Sequence, residues 1–80
     1  MDIHHLVRMA NDIGAFFAAE PAQDVRVQGV LGHIRRYWDP RMRAQIVTHY
    51  REGGEGLEGH VREAVAQLAA ETKEKTSRTP

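Results

Sequence analysis

The sequence predicts an all-α protein, a small bundle of four short helices with a disordered C-terminal tail. Apolar residues recur at helical spacing in four separate segments, and no segment shows the strict alternation of apolar and polar residues expected of a half-buried β-strand. Proline and glycine separate the four segments. A chain of 80 residues forms one domain at most. We place that helical domain at residues 1–70 and a flexible tail at residues 71–80.

The first helix is predicted by an apolar stripe close to the amino terminus. The members of this stripe share one helix face: Ile3, Leu6, Val7, Ala10, Ile13, Gly14 and Phe17. Asp2 stands directly before the stripe, where its carboxylate can accept a free backbone N–H of the first turn. Pro21 ends the segment, because proline does not continue a helix.

A second apolar stripe follows Pro21 and predicts the second helix. Its members are Val27, Val30, Leu31, Ile34 and Trp38. Gly29 and Gly32 lie inside this helix, where each glycine costs about 1 kcal/mol relative to alanine. Small residues can let another backbone approach closely, so these glycines predict a packing contact and no ligand.

The third helix begins at Pro40, after the sharpest boundary in the sequence. Proline suits the first helical position because its missing N–H would have no partner there, and Asp39 can cap the N–H groups that follow. The apolar side of this helix consists of Met42, Ile46, Val47 and Tyr50. The pair Gly53-Gly54 stops it.

The fourth helix begins near Leu57 or Glu58. Its apolar stripe consists of Leu57, Val61, Ala64, Val65 and Leu68. The residues from 71 to 80 carry no apolar side chain beyond threonine methyl groups, and this composition is typical of a solvated tail.

Charge and composition argue against several classes of function. Lys+Arg and Asp+Glu are 11 each, and this neutrality argues against a nucleic-acid partner. No apolar run approaches the ~18 residues of a membrane span, so we expect no membrane partner and a cytoplasmic location. The absence of cysteine removes disulfides and thiolate metal sites, the usual reinforcement of small domains. Stability must therefore come from helix packing or from a partner.

The sequence offers no active site and no metal site. Two helical ligands need a spacing of three or four residues, whereas His4 and His5 are adjacent and the other three histidines are far apart. The only serine, Ser77, lies in the predicted tail. The glycine-rich turn at residues 53–56 lacks the lysine of a phosphate-binding loop. We therefore expect structural or surface roles for the histidines, and no cofactor.

The boundary between the second and third helices carries the strongest candidate site. It reads Arg35-Arg36-Tyr37-Trp38-Asp39-Pro40-Arg41-Met42-Arg43, with four arginines, one aspartate and the only tryptophan. Arginine and aromatic residues dominate the energetics of protein interfaces, so this stretch predicts a docking site. Two alternatives stay open: that Trp38 fills the core with the arginines in water around it, or that the arginines bind an anion or phosphate.

The end of the first helix offers a second candidate. Its sequence, Ile13-Gly14-Ala15-Phe16-Phe17-Ala18-Ala19, carries more apolar residues than one stripe needs. Phe16 and Phe17 cannot both face a four-helix core, and an exposed phenylalanine beside small residues is typical of a docking patch. A fraying helix end would give the same pattern.

Three stretches resemble a known family: MDIHHLVRMANDIGAFF at residues 1–17, HIRRYWDPRMR at residues 33–43 and GGEGL at residues 53–57. They resemble the delta subunit of cytoplasmic NAD-dependent formate dehydrogenase, in the same order and near the same spacing over residues 1 to about 68. The most specific part is Trp-Asp-Pro-Arg-Met. One departure is Glu58-Gly59-His60, where a proline is expected near the start of the last helix.

The resemblance implies membership of a large complex. In such enzymes the catalytic alpha subunit oxidises formate with a molybdenum bis-pterin guanine dinucleotide cofactor and iron–sulfur clusters, and the beta and gamma subunits pass electrons to NAD. The delta subunit is then expected to be a non-catalytic accessory subunit that docks on the alpha subunit and supports assembly or stability. The alternative is a maturation factor that assists insertion of the molybdenum cofactor.

No catalytic residue is carried over from the resemblance to this chain. The residues that match the family signature are instead candidates for docking to the alpha subunit and its beta and gamma partners. Together with the two phenylalanines, the predicted partner-binding set is Phe16, Phe17, His33, Arg35, Arg36, Trp38, Asp39, Pro40, Arg41, Met42 and Arg43.

Overall fold

A computed structural model describes residues 2–77, and the side chains of residues 2–71, as four α-helices joined by short turns. The helices are α1 (Ile3–Phe17), α2 (Gln23–Tyr37), α3 (Pro40–Arg51) and α4 (Gly59–Ser77). No strand occurs in residues 2–77, so the predicted all-α bundle is confirmed. The backbone of α4 is helical as far as Ser77, within the segment predicted as a tail, and residues 78–80 lie outside the described residues.

Two predicted aspartate caps begin their helices as expected. The Oδ1 atom of Asp2 accepts a hydrogen bond from the backbone N–H of His4 at 2.9 Å. The Oδ1 atom of Asp39 accepts one from the backbone N–H of Met42 at 2.9 Å, and Pro40 is the first residue of α3. Each carboxylate therefore satisfies an N–H group that has no partner inside the helix.

The predicted stop at Gly53-Gly54 is also confirmed. Both glycines have positive φ angles, +120° and +64°, which residues with a Cβ rarely adopt, and α3 ends at Arg51. The backbone N–H of Gly54 closes the helix end by donating to the carbonyl of His49 at 2.9 Å.

The fourth helix begins at Gly59, slightly later than the predicted start near Leu57 or Glu58. Gly56 holds a φ angle of +90°, so the backbone just before Leu57 is still in the turn. Leu57 nevertheless reaches the core from this turn and is almost completely buried. The apolar stripe thus extends beyond the helix that it was used to predict.

The core lies where the four apolar stripes meet. Helix α4 packs against each of the other three helices, and α1 packs also on α2 and α3. The buried apolar residues are Leu6, Ala10, Val27, Val30, Leu31, Ile34, Trp38, Ile46, Val47, Leu57, Val61, Ala64, Val65, Leu68 and Ala69. None of the helices in residues 2–77 is both long enough and apolar enough to cross a membrane.

Two glycines mark close approaches between elements. A Cβ atom added at Gly14 would lie 2.1 Å from Cγ2 of Val61, so α1 and α4 touch at this point. A Cβ atom added at Gly29 would lie 2.5 Å from carbon atoms of the Phe17 ring. A side-chain ring therefore packs on Gly29, where the sequence suggested the approach of another backbone, and Gly32 has nothing within 4 Å.

Candidate functional site

Four members of the predicted docking set build the corner between α2 and α3. Trp38 is only 3% exposed and belongs to the core. Asp39 caps α3, Pro40 opens it, and Met42 packs half-buried against the core. The structure thus places the tryptophan where the core alternative expected it, and these side chains hold the corner together.

Two of the four arginines are bound within the chain. The guanidinium of Arg43 donates to the carbonyl oxygen of Trp38 and, at 3.3 Å, to that of Arg35, so it satisfies carbonyls at the C-terminal end of α2. Arg35 forms an ion pair with Glu71 of α4. Both partners of that pair are partly exposed, and such surface pairs contribute about 0–1 kcal/mol.

The other two arginines are exposed, and neither has a hydrogen bond or ion pair with any side chain or carbonyl in the described part of the chain. Arg36 lines a groove on α2 together with Tyr37. Arg41 lines a separate groove of about 380 Å³, which it shares with Ile3 and Thr48. The two exposed arginines therefore line different grooves.

A cleft opens between α1 and α2, and its lining residues come from the C-terminal halves of both helices. Phe16 is 79% exposed and Tyr37 is 67% exposed, whereas Phe17 is half-buried and packs on the core. The two phenylalanines therefore do face different ways, as the sequence predicted. The cleft measures about 270 Å³, and we call it the aromatic cleft; its lining residues are Ile13, Phe16, Phe17, His33 and Tyr37.

Contacts between rings give this cleft its shape. The rings of Phe16 and Phe17 meet edge to face, with centroids 5.0 Å apart and planes at 88°. The rings of His33 and Tyr37 lie 4.7 Å apart at 45°. Edge-to-face geometry is favoured between aromatic rings because the positive edge of one meets the negative face of the other. Gly29 leaves the room in which the Phe17 ring lies.

The structure adds Tyr37 and Ile13 to the residues predicted from sequence. Tyr37 belongs to the arginine–tryptophan stretch but lies outside the predicted set, although it follows His33 by four residues and so shares its helix face. That spacing is the signal that could have found it. Ile13 was assigned to the core stripe of α1, and it is half-buried with one side in the cleft.

The predicted set thus divides into three groups. Phe16, Phe17 and His33 come together in the aromatic cleft, and Arg36 lies in the adjoining groove. Arg41 opens to a separate groove. The remaining members serve the helix corner or an ion pair within the chain: Arg35, Trp38, Asp39, Pro40, Met42 and Arg43.

Two histidines that are far apart in sequence bind backbone carbonyls. The Nε2 atom of His60 lies 2.7 Å from the carbonyl oxygen of Gly14, and that of His49 lies 2.7 Å from the carbonyl oxygen of Glu55. A carbonyl only accepts, so each Nε2 carries the donated proton. Among residues 2–71, no three histidine, aspartate or glutamate side chains are grouped so that they could hold a metal ion.

A comparison with protein families gives one match. The family described as the NADH-dependent formate dehydrogenase delta subunit, FdsD, matches residues 5–65. The matched region contains all the residues of the aromatic cleft and the whole corner between α2 and α3. Searches of curated proteins and of solved structures gave no match.

Proposed function

The chain belongs to the family of NADH-dependent formate dehydrogenase delta subunits, and we propose that it is a non-catalytic accessory subunit that docks on the catalytic alpha subunit. Its role is to support the assembly or the stability of the complex, which it joins together with the beta and gamma subunits. The complex functions in the cytoplasm, in keeping with the resemblance of the sequence to cytoplasmic enzymes.

The aromatic cleft is the observation that carries this proposal. Phe16 and Tyr37 are large, exposed and neighbours in space, in a chain whose other stripes bury their apolar residues in one core. Exposed apolar patches of this kind mark interaction sites in soluble proteins. Aromatic residues are also the side chains that contribute most to binding when they fill a partner's pocket.

The hydrogen bonds that the polar side chains make support an accessory role. His49, His60, Asn11 and Arg62 all bind backbone carbonyl oxygens of the same chain. Three of these four side chains bind carbonyl oxygens of the turn between α3 and α4. These groups therefore fix the fold and are not arranged around a reacting molecule.

Co-purification tests the proposal directly. The tagged chain is expressed with untagged alpha, beta and gamma subunits, and the purified material is washed with 1 M salt, roughly the concentration that reduces the Debye length to 3 Å. We expect the alpha subunit to remain bound, because apolar contacts are not weakened by salt. Recovery of the tagged chain alone would contradict the proposal.

The exposed guanidinium groups favour a second candidate, a maturation factor that assists insertion of the molybdenum cofactor. Guanidinium forks pair bidentately with phosphate, and both Arg36 and Arg41 are exposed. Because Arg36 and Arg41 line separate grooves, we expect two weak phosphate contacts and not one strong phosphate site. Calorimetry with molybdenum bis-pterin guanine dinucleotide should show binding that Arg36→Gln and Arg41→Gln each weaken; no binding by the wild-type chain would exclude this candidate.

A further inference from the structure

The aromatic cleft is shaped before any partner arrives. Its walls are two pairs of touching rings, and the Phe17 ring is held between the core and Gly29. Such ring contacts are favourable and help to hold Phe16 and Tyr37 in place, although both side chains are exposed. Less conformational entropy is then lost on binding, which favours affinity from a small contact.

The size of the cleft indicates what it can hold. Its volume of about 270 Å³ lies below the ~300–1,000 Å³ of pockets that bind drug-sized molecules. Its lining is four rings and one aliphatic side chain. A cleft of this size and composition fits one or two apolar side chains that project from a protein segment.

The charge beside the cleft indicates the rest of the partner's chemistry. Arg36 lines the adjoining groove, which shares Phe17, His33 and Tyr37 with the cleft. No aspartate or glutamate is present in the lining of either depression. The partner that fits this surface best therefore presents an apolar side chain with a carboxylate close to it. The carboxylate is needed because a desolvated guanidinium needs an anionic partner.

A second copy of the chain fits this surface poorly. A two-fold dimer of this patch would place the two depressions against their own copies, and neither depression has a carboxylate in its lining to pair with Arg36. Like charges placed together across an interface cost several kcal/mol. Charge complementarity thus favours a different, acidic chain.

We propose that the aromatic cleft binds a segment of a partner subunit, in which an apolar side chain enters the cleft and a neighbouring aspartate or glutamate pairs with Arg36. This inference rests on the proposed function and adds to it the docking surface and the chemistry of the bound segment. It assigns the contact to the C-terminal halves of α1 and α2, and not to the buried tryptophan corner.

The test of this surface is the affinity with which the full-length chain binds a formate dehydrogenase complex that was purified without this chain. Phe16→Ala and Tyr37→Ala should each weaken binding by about tenfold or more, as for hot-spot residues, and Arg36→Gln by about fivefold. Matched controls are Val25→Ala and Arg8→Gln, which change exposed residues outside the cleft. Each control should change the affinity by less than about twofold, since exposed residues outside an interface contribute little.

Photo-crosslinking identifies the occupant. Benzoylphenylalanine at position 16 should crosslink to a segment of a partner subunit that contains an apolar residue next to an acidic one, and the same group at position 25 should not. A crosslink to a second copy of the chain, or to a segment without a carboxylate, would overturn the proposed chemistry. Thermal unfolding confirms that each variant is folded.

The outcomes separate this inference from the proposed function. If the wild-type chain does not bind the complex, the proposed function itself is wrong. If the wild-type chain binds and the three cleft variants bind equally well, the delta-subunit role stands but the docking surface lies elsewhere, and the inference is overturned.

Discussion

Tyr37 and Trp38 are adjacent in sequence but lie in two regions with opposite exposure to solvent. Tyr37 is 67% exposed and lines the aromatic cleft, whereas Trp38 is 3% exposed and belongs to the core at the corner between α2 and α3. Helix α2 ends between them, because the backbone of Trp38 is extended. The direction of a side chain, and not its chemical type, therefore decides whether an aromatic residue is buried in the core or exposed on the surface.

The largest effect should come from truncating the buried ring. Trp38→Ala should lower the free energy of unfolding by about 3–5 kcal/mol, because it leaves a cavity in the core. Tyr37→Ala should change that free energy by no more than about 0.5 kcal/mol, since the side chain is largely exposed. Chemical denaturation of both variants measures the difference. Equal losses would mean that the two neighbouring rings do not differ in role.

The contact between α1 and α4 gives the next largest effect. Gly14→Ala should destabilise the chain by about 1–3 kcal/mol, because the added methyl group overlaps Val61 in a packed interior. Gly32→Ala is the matched control, since nothing lies within 4 Å of its added Cβ atom. It should stabilise the chain by up to about 1 kcal/mol through helix propensity. A gain in melting temperature for Gly14→Ala would show that the two helices are less closely packed.

The cap of α3 should contribute less. Asp39→Ala should cost about 1 kcal/mol, because the backbone N–H of Met42 loses its acceptor. Asp39→Ser should recover most of this loss, since a serine hydroxyl also accepts the bond. Urea unfolding followed by circular dichroism distinguishes the two variants. If serine were no better than alanine, the carboxylate would act through its charge and not as a cap.

The smallest effect should come from the exposed arginines. Arg35→Gln removes the ion pair with Glu71 and should cost at most about 1 kcal/mol, because exposed pairs are weakly stabilising. Arg36→Gln should leave the free energy of unfolding unchanged within about 0.5 kcal/mol. Thermal melts at low and high salt check this, since only the Arg35 contribution should depend on salt. A large loss for Arg36→Gln would place that residue in the fold and weaken its assignment to binding.

Local signals predicted most of the fold. Helical periodicity identified the four helices and their buried stripes, and the caps at Asp2 and Asp39 depend only on residues within three positions. The stop at Gly53-Gly54 is equally local. These features follow from chain geometry that short segments already contain.

The candidate site could be predicted only in part, because its parts come from different helices. Phe16 and Phe17 were identified as surface candidates, but the sequence could not show that α2 places Tyr37 beside them. Nor could it show that Arg35 pairs with Glu71, a residue 36 positions later. Such contacts depend on how the helices pack, and a single sequence does not contain that relation.

The central position of α4 has a consequence for synthesis on the ribosome. This helix packs against all three others, yet it follows them in the chain. A nascent chain that ends before Gly59 lacks the helix against which the apolar stripes of α1, α2 and α3 pack. The four-helix core therefore closes only after α4 has been synthesised, because domains generally fold as units.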